Sequence, residues 1–263
     1  MKKSSILLSI GLILFSFTSC GVKENRDICP CWLEFFFKDC HSKTESITVC
    51  GWRDATLFRE RISLSDYPIV YEKEVEKGVV KTCVYSGVEN SIVNGYEFIT
   101  PEGEQADKIF LHRNTIVCDG EFAHDTVVLN KQWVTVKVKV NFKEGTVPEK
   151  HSLEVRSDVI GVDVLNQIPI HGTFRYTPKM DETGRYVFRL LRHDVGSEDL
   201  YMDIYMEDTM IDQMNLTHAL ASRDYNWASK DLSDVEMNID METKDIYIKV
   251  VPWKDLGHEN IIF

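Results

Sequence analysis

The sequence predicts an all-β protein made of two antiparallel β-sandwich domains in tandem, with little helix. Three observations carry that prediction. Apolar residues recur at every second position in segment after segment, turn-forming pairs separate those segments, and convincing amphipathic helices are scarce. A chain of 263 residues with 43% apolar content buries substantial cores, exceeds the commonest domain size and is not globally disordered. No internal repeat of roughly 20–50 residues is apparent, which disfavours a solenoid or propeller.

The N-terminal segment is read first. Met1-Lys2-Lys3 is a short cationic start, and residues 6–17 (ILLSIGLILFSF) form an apolar run. As a helix that run is too short to cross a bilayer core of roughly 30 Å, so it is a leader and not an anchor. Small residues then end at a cysteine, Thr18-Ser19-Cys20-Gly21, a pattern that resembles the lipobox of bacterial lipoproteins. The resemblance implies a signal peptide over residues 1–19, cleavage before Cys20, and acyl chains on its thiol and new amino group, enough for stable membrane anchoring. Phe17 stands where many lipoboxes have Leu; ordinary secretion with Cys20 as a free or paired thiol is the alternative. Residues 20–28 are polar and charged beyond Gly21, as suits a flexible tether.

Six further cysteines follow: Cys29, Cys31, Cys40, Cys50, Cys83 and Cys118. An even number in an exported chain favours disulfides, and spacing leaves the pairing open. All six lie before residue 119, which predicts a stapled first half and a second half held by its core alone. Cys29-Pro30-Cys31 lacks the spacing and second ligand pair of a zinc site and the C-x-x-C of a redox motif, so structural bridges are the preferred reading and no metal is expected.

The strands come next in order. Candidates in the first half are residues 32–37, 46–52, 79–85, 108–111, 115–118 and 126–129, with one short helix over 54–64. The clearest strand is 133–142 (WVTVKVKVNF), which places Val134, Val136, Val138, Val140 and Phe142 on one face and Thr135, Lys137, Lys139 and Asn141 on the other. The lysines from Lys131 to Lys143 read as one solvated face of it. Similar alternation marks 185–192, 201–207 (Met202, Ile204 and Met206 inward) and 245–251; residues 221–235 hold at most a helical turn or two. Turn signals fall at Glu102-Gly103, Asp119-Gly120, Thr183-Gly184 and Val195-Gly196. The domain boundary is expected near Lys131, giving an N-terminal domain over 29–130 and a C-terminal domain over 131–263.

Charge and motifs exclude several functions. With 30 basic against 42 acidic residues and a net charge of −12, the chain has no basic surface with which to displace the counterions of a nucleic acid. It contains no G-x-S-x-G, H-E-x-x-H, Walker A loop or G-x-G-x-x-G. His112, His124, His151, His171, His193, His218 and His258 are too dispersed to share a helical face and are read as loop or surface residues. The aromatics Phe35, Phe36, Phe37, Trp52, Trp133, Trp227 and Trp253 fit a sandwich core better than a sugar-binding platform. Asp125-Thr126-Val127 and Asp208-Thr209-Met210 resemble the Asp-Ser/Thr-apolar sites at which Bacteroidetes attach O-linked sugars.

Several of these parts converge on a family. The leader ends in Thr-Ser-Cys; a charged tether leads to Asp27-Ile28-Cys29-Pro30-Cys31-Trp32-Leu33-Glu34-Phe35; residues 124–140 (HDTVVLNKQWVTVKVKV) pass from loop to strand; and the chain closes on 245–253 (DIYIKVVPW). Together these resemble the FimB-like fimbrial anchor proteins of Bacteroidales, lipoprotein relatives of the fimbrillins. The resemblance spans nearly the whole mature chain through diffuse patterns. It implies two transthyretin-like β-sandwich domains, an outer-membrane, lipid-anchored location, and a mechanical role without cofactor or small-molecule substrate. The partner would be a fimbrial stalk subunit, joined by strand-mediated assembly of the β-augmentation kind.

The resemblance also implies that the first strand, 32–37, is retained, and that Arg26 is the nearest upstream basic site for a trypsin-like protease. The subunit contact falls near the C-terminus, on Ile246, Ile248, Val250, Ile261, Ile262 and Phe263; the alternative is that the last strand completes its own sheet. The leading expectation is thus a non-catalytic structural anchor, with a surface glycan-binding lipoprotein as the alternative and a hydrolase of unfamiliar type a distant third.

Overall fold

In the computed structural model, which describes residues 29–142 and 151–253, alternation of apolar and polar side chains decides the architecture. The first half runs β1 (Cys31–Phe37), β2 (Ser46–Trp52), β3 (Thr56–Ser63), β4 (Val70–Val75) and β5 (Gly78–Ser86). A hairpin of β6 (Ile92–Asn94) and β7 (Glu97–Ile99) follows, then β8 (Phe110–Cys118), β9 (Phe122–Val127) and the two-residue β10 (Asn130–Lys131). The second half runs β11 (Trp133–Asn141), β12 (His151–Asp163), β13 (Ile168–Tyr176), β14 (Tyr186–Leu191), β15 (Tyr201–Met206) and β16 (Thr209–Asn215). It ends with helix α1 (Leu216–Ala221), β17 (Asp234–Asp240) and β18 (Ile246–Val251).

Each half faces two sheets across a core. In the first, β4-β1-β9 packs on β10-β8-β5-β2-β3; in the second, β14-β11-β17-β18 packs on a sheet centred on β12. One pairing scheme occurs twice. β1 is antiparallel to β4 and parallel to β9, as β11 is antiparallel to β14 and parallel to β17. Likewise β2 lies between β3 and β5, and β12 between β13 and β15. β11 buries Val134, Val136, Val138 and Val140 and exposes Lys137 and Lys139, as its alternation predicts.

Several expectations are corrected. Residues 54–64 form β3 and no helix: Phe58 and Ile62 are four apart, which fits one face of a helix and of a strand alike, and pairing with β2 selects the strand. The helical turn lies at Leu216–Ala221, upstream of 221–235, where the Asn215 side chain accepts a hydrogen bond from the His218 amide at 2.9 Å as its N-cap. Segments 108–111 and 115–118 are parts of one strand, β8. Met206 is exposed. Lys131 is fully buried, its Nζ donating to Leu232 O (3.1 Å) and Asp234 Oδ1 (2.6 Å) between the rings of Trp133 and Trp253.

The two halves are joined by hydrogen-bonded strands. β12 pairs with β15 through its first residues and, along the same edge, with β7 through Gly161, Val162 and Asp163. Thr100 N to Ile160 O (2.8 Å) and Val164 N to Tyr96 O (2.9 Å) extend that ladder at either end. Gly161 is required there, because a Cβ would lie 2.4 Å from Phe98 O. Beneath the joint a third core combines Tyr85, Phe98, Ile109 and Leu111 with Val159, Val162, Val164 and Leu191. Asp107 fixes the approach to β6: its buried carboxylate accepts from the amides of Glu89, Asn90 and Ser91 and from the Ser91 hydroxyl. These bonds outweigh the effect of burial and hold its pKa below the usual range.

Candidate assembly surface

The strand that follows the tether is built into the middle of a sheet. β1 alternates Cys31, Leu33, Phe35 and Phe37 into the core, and both its edges are occupied, by β4 over six residue pairs and by β9 over six. Removing β1 from that position opens a groove between β4 and β9 lined by the residues that Leu33 and Phe35 now cover, among them Phe58 and Tyr71. Trp32, on the outward face, is exposed.

At the other end of the chain β18 closes a four-stranded sheet. Ile246, Ile248 and Val250 are partly buried against the second core and register with Ile239, Met237 and Val235 of β17. Tyr247 faces outward at 65% exposure. β18 pairs with β17 and, among the described residues, with no other strand, so it completes its own sheet and presents one edge of main-chain donors and acceptors. Ile261, Ile262 and Phe263 lie outside the described residues, as do Cys20, Arg26, the leader and tether over 1–28, and His258.

The six cysteines are all free thiols in the structure, five buried and Cys29 exposed. Cys31 and Cys118 meet in the first core, while Cys50 and Cys83 are ladder partners on β2 and β5. Cys40 Sγ donates to Lys38 O and Val127 O, both at 3.5 Å. Among the described residues no group of three His, Cys, Asp or Glu side chains converges to hold a metal ion.

Two histidines expected at the surface are structural. His193 is buried against Trp227; its Nδ1 lies 2.9 Å from Leu191 O and its Nε2 2.6 Å from Ser157 Oγ. The carbonyl fixes the tautomer with the proton on Nδ1, so the Ser157 hydroxyl donates to Nε2. Both side chains are enclosed, and the second partner of the imidazole is a backbone carbonyl. Burial lowers the His193 pKa and keeps the ring neutral.

His112 Nε2 donates to buried Asp125 (3.0 Å), while its Nδ1 accepts from Val128 N (3.3 Å). Asp125 also accepts from Thr82 Oγ1 (2.8 Å) and Asn114 Nδ2 (3.0 Å). Burial raises its pKa, and the hydrogen bonds, led by His112, overcome that and leave it below the usual carboxylate range. Thr126 and Thr209 are exposed on strands, but Asp125, beside Thr126, is sealed in this network.

The aromatics divide between core and rim. Phe35, Phe37, Trp133 and Trp227 are buried, and Phe110, Trp133 and Trp253 pack edge-to-face or tilted, with ring centroids 4.9–6.3 Å apart, where the halves meet. Phe36 rests on His124 (5.8 Å) and Trp52 under Lys81 (5.3 Å). Trp32 and Phe122, both exposed, are ladder partners on β1 and β9. Sequence reasoning missed the β6–β7 strap, Gly161 and Asp107; the local signal was Gly95-Tyr96, a two-residue hairpin turn with Gly95 at φ 61° in its first position.

Fold and surface together define an all-β, two-sandwich protein whose first strand is buried in a sheet and whose last strand lies at an edge. Several solved structures share this fold. A candidate adhesin from Bacteroides ovatus superposes with a TM-score of 0.62 at 12% identity, covering 85% of this chain and 94% of that one. A candidate polysaccharide-binding protein from Bacteroides thetaiotaomicron gives 0.62 at 12% identity, over 80% and 92%. The fimbrial anchor protein Mfa2 from Porphyromonas gingivalis gives 0.55 at 13% identity, over 86% and 98%. No protein-family model and no curated protein matches the chain.

Proposed function

We propose that this protein is a non-catalytic, lipid-anchored structural subunit that seats a fimbrium in the outer membrane and contacts the first stalk subunit through a β-strand. One observation carries the reading: β1 is held inside its sheet on both edges while β18, among the described residues, has one edge without a partner strand. A subunit tethered through its own N-terminus must keep its first strand, because the tether and that strand are one segment. Acyl chains on Cys20 supply the membrane grip, residues 20–28 supply reach, and the stalk strand adds to the β18 edge by main-chain hydrogen bonds. The two halves, 29–130 and 131–263, are two transthyretin-like domains on this reading; the repeated pairing of β1 with β4 and β9 and of β11 with β14 and β17 supports it. The likeness to a fimbrial anchor and to adhesins supports a place at the cell surface.

Deletion of the protein should release fimbriae into the medium, and Cys20→Ala should move it from the membrane to the soluble fraction. Fimbriae that stay on the deletion strain would sink the proposal. The second reading is a surface glycan-binding lipoprotein, favoured by the likeness to a candidate polysaccharide-binding protein. It predicts defined ligands on a glycan array that are lost on substituting Trp32, the exposed tryptophan of β1.

A further inference from the structure

We propose that Cys31 and Cys118 are joined by a disulfide bond in the exported protein, a staple that fixes the first strand to the opposite sheet. Cys31 opens β1, in one sheet of the first sandwich, and Cys118 ends β8, in the other. Both are fully buried in the same core. Two short connections bring them together. The ladder partner of Cys31 is Val75 and that of Cys118 is Gly78, and only Glu76 and Lys77 lie between those partners. From Cys118 the chain turns through Asp119 and Gly120 to Glu121, whose carbonyl accepts from the amide of Trp32 at 2.8 Å.

Arg53 locks this end of the sandwich. It donates to Glu76 O at 2.9 Å and to Val79 O at 3.1 Å, and its guanidinium packs so closely on Gly78, at φ 137°, that a side chain there would meet it at 2.8 Å. The two side chains consequently share one end of the first core, close enough for Cys31 to raise the pKa of the Cys118 thiol; Cys31 Sγ also lies 3.8 Å from Trp32 O.

The other cysteines are differently engaged. Cys83 Sγ donates to Val164 O at 3.4 Å, although Cys50 and Cys83 are ladder partners. Cys40 is spent on backbone carbonyls, and Cys29 is exposed. Closing the bond removes two protons and two electrons from the two thiols; the acceptor is a disulfide of an oxidising protein or small molecule, which leaves as two thiols. Burial pushes the Cys118 thiol up to about 12, with neighbouring Cys31 adding to the rise, so the folded chain holds almost no thiolate there. The bond therefore closes as the chain folds and is afterwards shielded from reductants.

The inference rests on the fold and on export. Only its mechanical meaning, that tension entering at β1 passes to the second sheet before the ladders of β1 can peel, rests on the anchor reading. Peptide mapping of the full-length protein, extracted from its membrane and alkylated without reductant, tests it. The expected product is a linked pair with fragment ions that place the bond between Cys31 and Cys118, retained in Cys29→Ser. Alkylated, unlinked Cys31 and Cys118, or either one bonded elsewhere, overturns the proposal. Reduction in denaturant followed by refolding with reductant present should lower the unfolding temperature of the wild type by at least about 10 °C. It should do the same to Cys40→Ser and nothing further to Cys118→Ser. Should Cys118→Ser fail to fold, the wild-type map alone decides. Loss of the anchor reading in the deletion strain leaves the map unchanged.

Discussion

The first and second sandwiches repeat one order of strand pairings with different means of holding it. In the first, β1 sits in a three-stranded sheet, and cysteines, the Asp125 network and the Asp107 clamp supplement a core centred on Phe35. In the second there is no cysteine; a fourth strand, β18, widens the sheet around a continuous core centred on Phe188, and Arg156 grips buried Asp203 at 2.6 and 3.1 Å. Buried thiols and the Asp125 and Asp107 networks thus lie in the half that carries the N-terminal strand, where the proposed Cys31–Cys118 bond would add a covalent link, and the broader β18 sheet lies in the other half. A shared topology constrains the path of the chain and leaves the source of stability free to differ.

The largest test of this contrast empties each core in turn. Phe35→Ala and Phe188→Ala each remove a fully buried ring and should each cost about 3–5 kcal/mol. Under oxidising conditions calorimetry should show Phe188→Ala lowering the unfolding temperature more than Phe35→Ala, with reductant erasing the gap; equal losses in both conditions would mean the halves are held alike. Next in size is Gly161→Val, which forces a side chain onto Phe98 O and should cost about 2–3 kcal/mol. It should also split one unfolding transition into two, since it attacks the ladder between the halves and neither core. A single undivided transition would show that β7 contributes little to their coupling.

Smaller again, Asp125→Ala leaves Thr82, His112 and Asn114 without their acceptor and should cost about 2 kcal/mol, whereas Thr126→Ala on the exposed face should stay within about 0.5 kcal/mol. The smallest effect separates the halves by pH. The lowered pKa of His193 means that the unfolded chain takes up the proton first, so second-half stability should fall as pH drops below about 6.5. Exposed His171, raised chiefly by Asp158 with Asp194 on its other nitrogen, works in the opposite sense with little weight. In the first half the depressed carboxyls of Asp125 and Asp107 lend stability that is present above about pH 4 and lost as pH falls further. Chemical denaturation at pH 7, 5.5 and 3.5, followed by hydrogen exchange in each half, would read the two losses separately.

Strands with one wet face and one dry face were legible in the sequence, β1, β2 and β11 above all, because two-residue periodicity reports that burial directly. Strands that break the rule were not. β8 reads as two fragments because His112, Arg113 and Asn114 interrupt its apolar run, and these residues are occupied elsewhere: His112 and Asn114 bind Asp125, and Arg113 reaches Asn166 O at 2.9 Å. β3 imitates a helix through Phe58 and Ile62. Lys131 looks like part of a solvated row, yet its partners, Leu232 and Asp234, are a hundred residues away in sequence, beyond any local signal. The repeated topology is invisible for the same reason, since pairing order is preserved while residues are not. At the candidate assembly surface, the inward Ile246, Ile248 and Val250 were legible as apolar positions, but whether the β18 edge is covered depends on which strands lie beside it.

The β6–β7 strap has a practical consequence for dissecting the molecule. Severing the chain near residue 131, where the sequence invites a cut, would leave the N-terminal fragment with a detached pair of short strands and Phe98 stripped of the cover that Val159, Val162 and Val164 give its core. The C-terminal fragment would carry a vacant seat along β12. Such pieces should find each other when mixed, and clump when kept apart, so that complementation between separately expressed fragments becomes a direct assay for the seam.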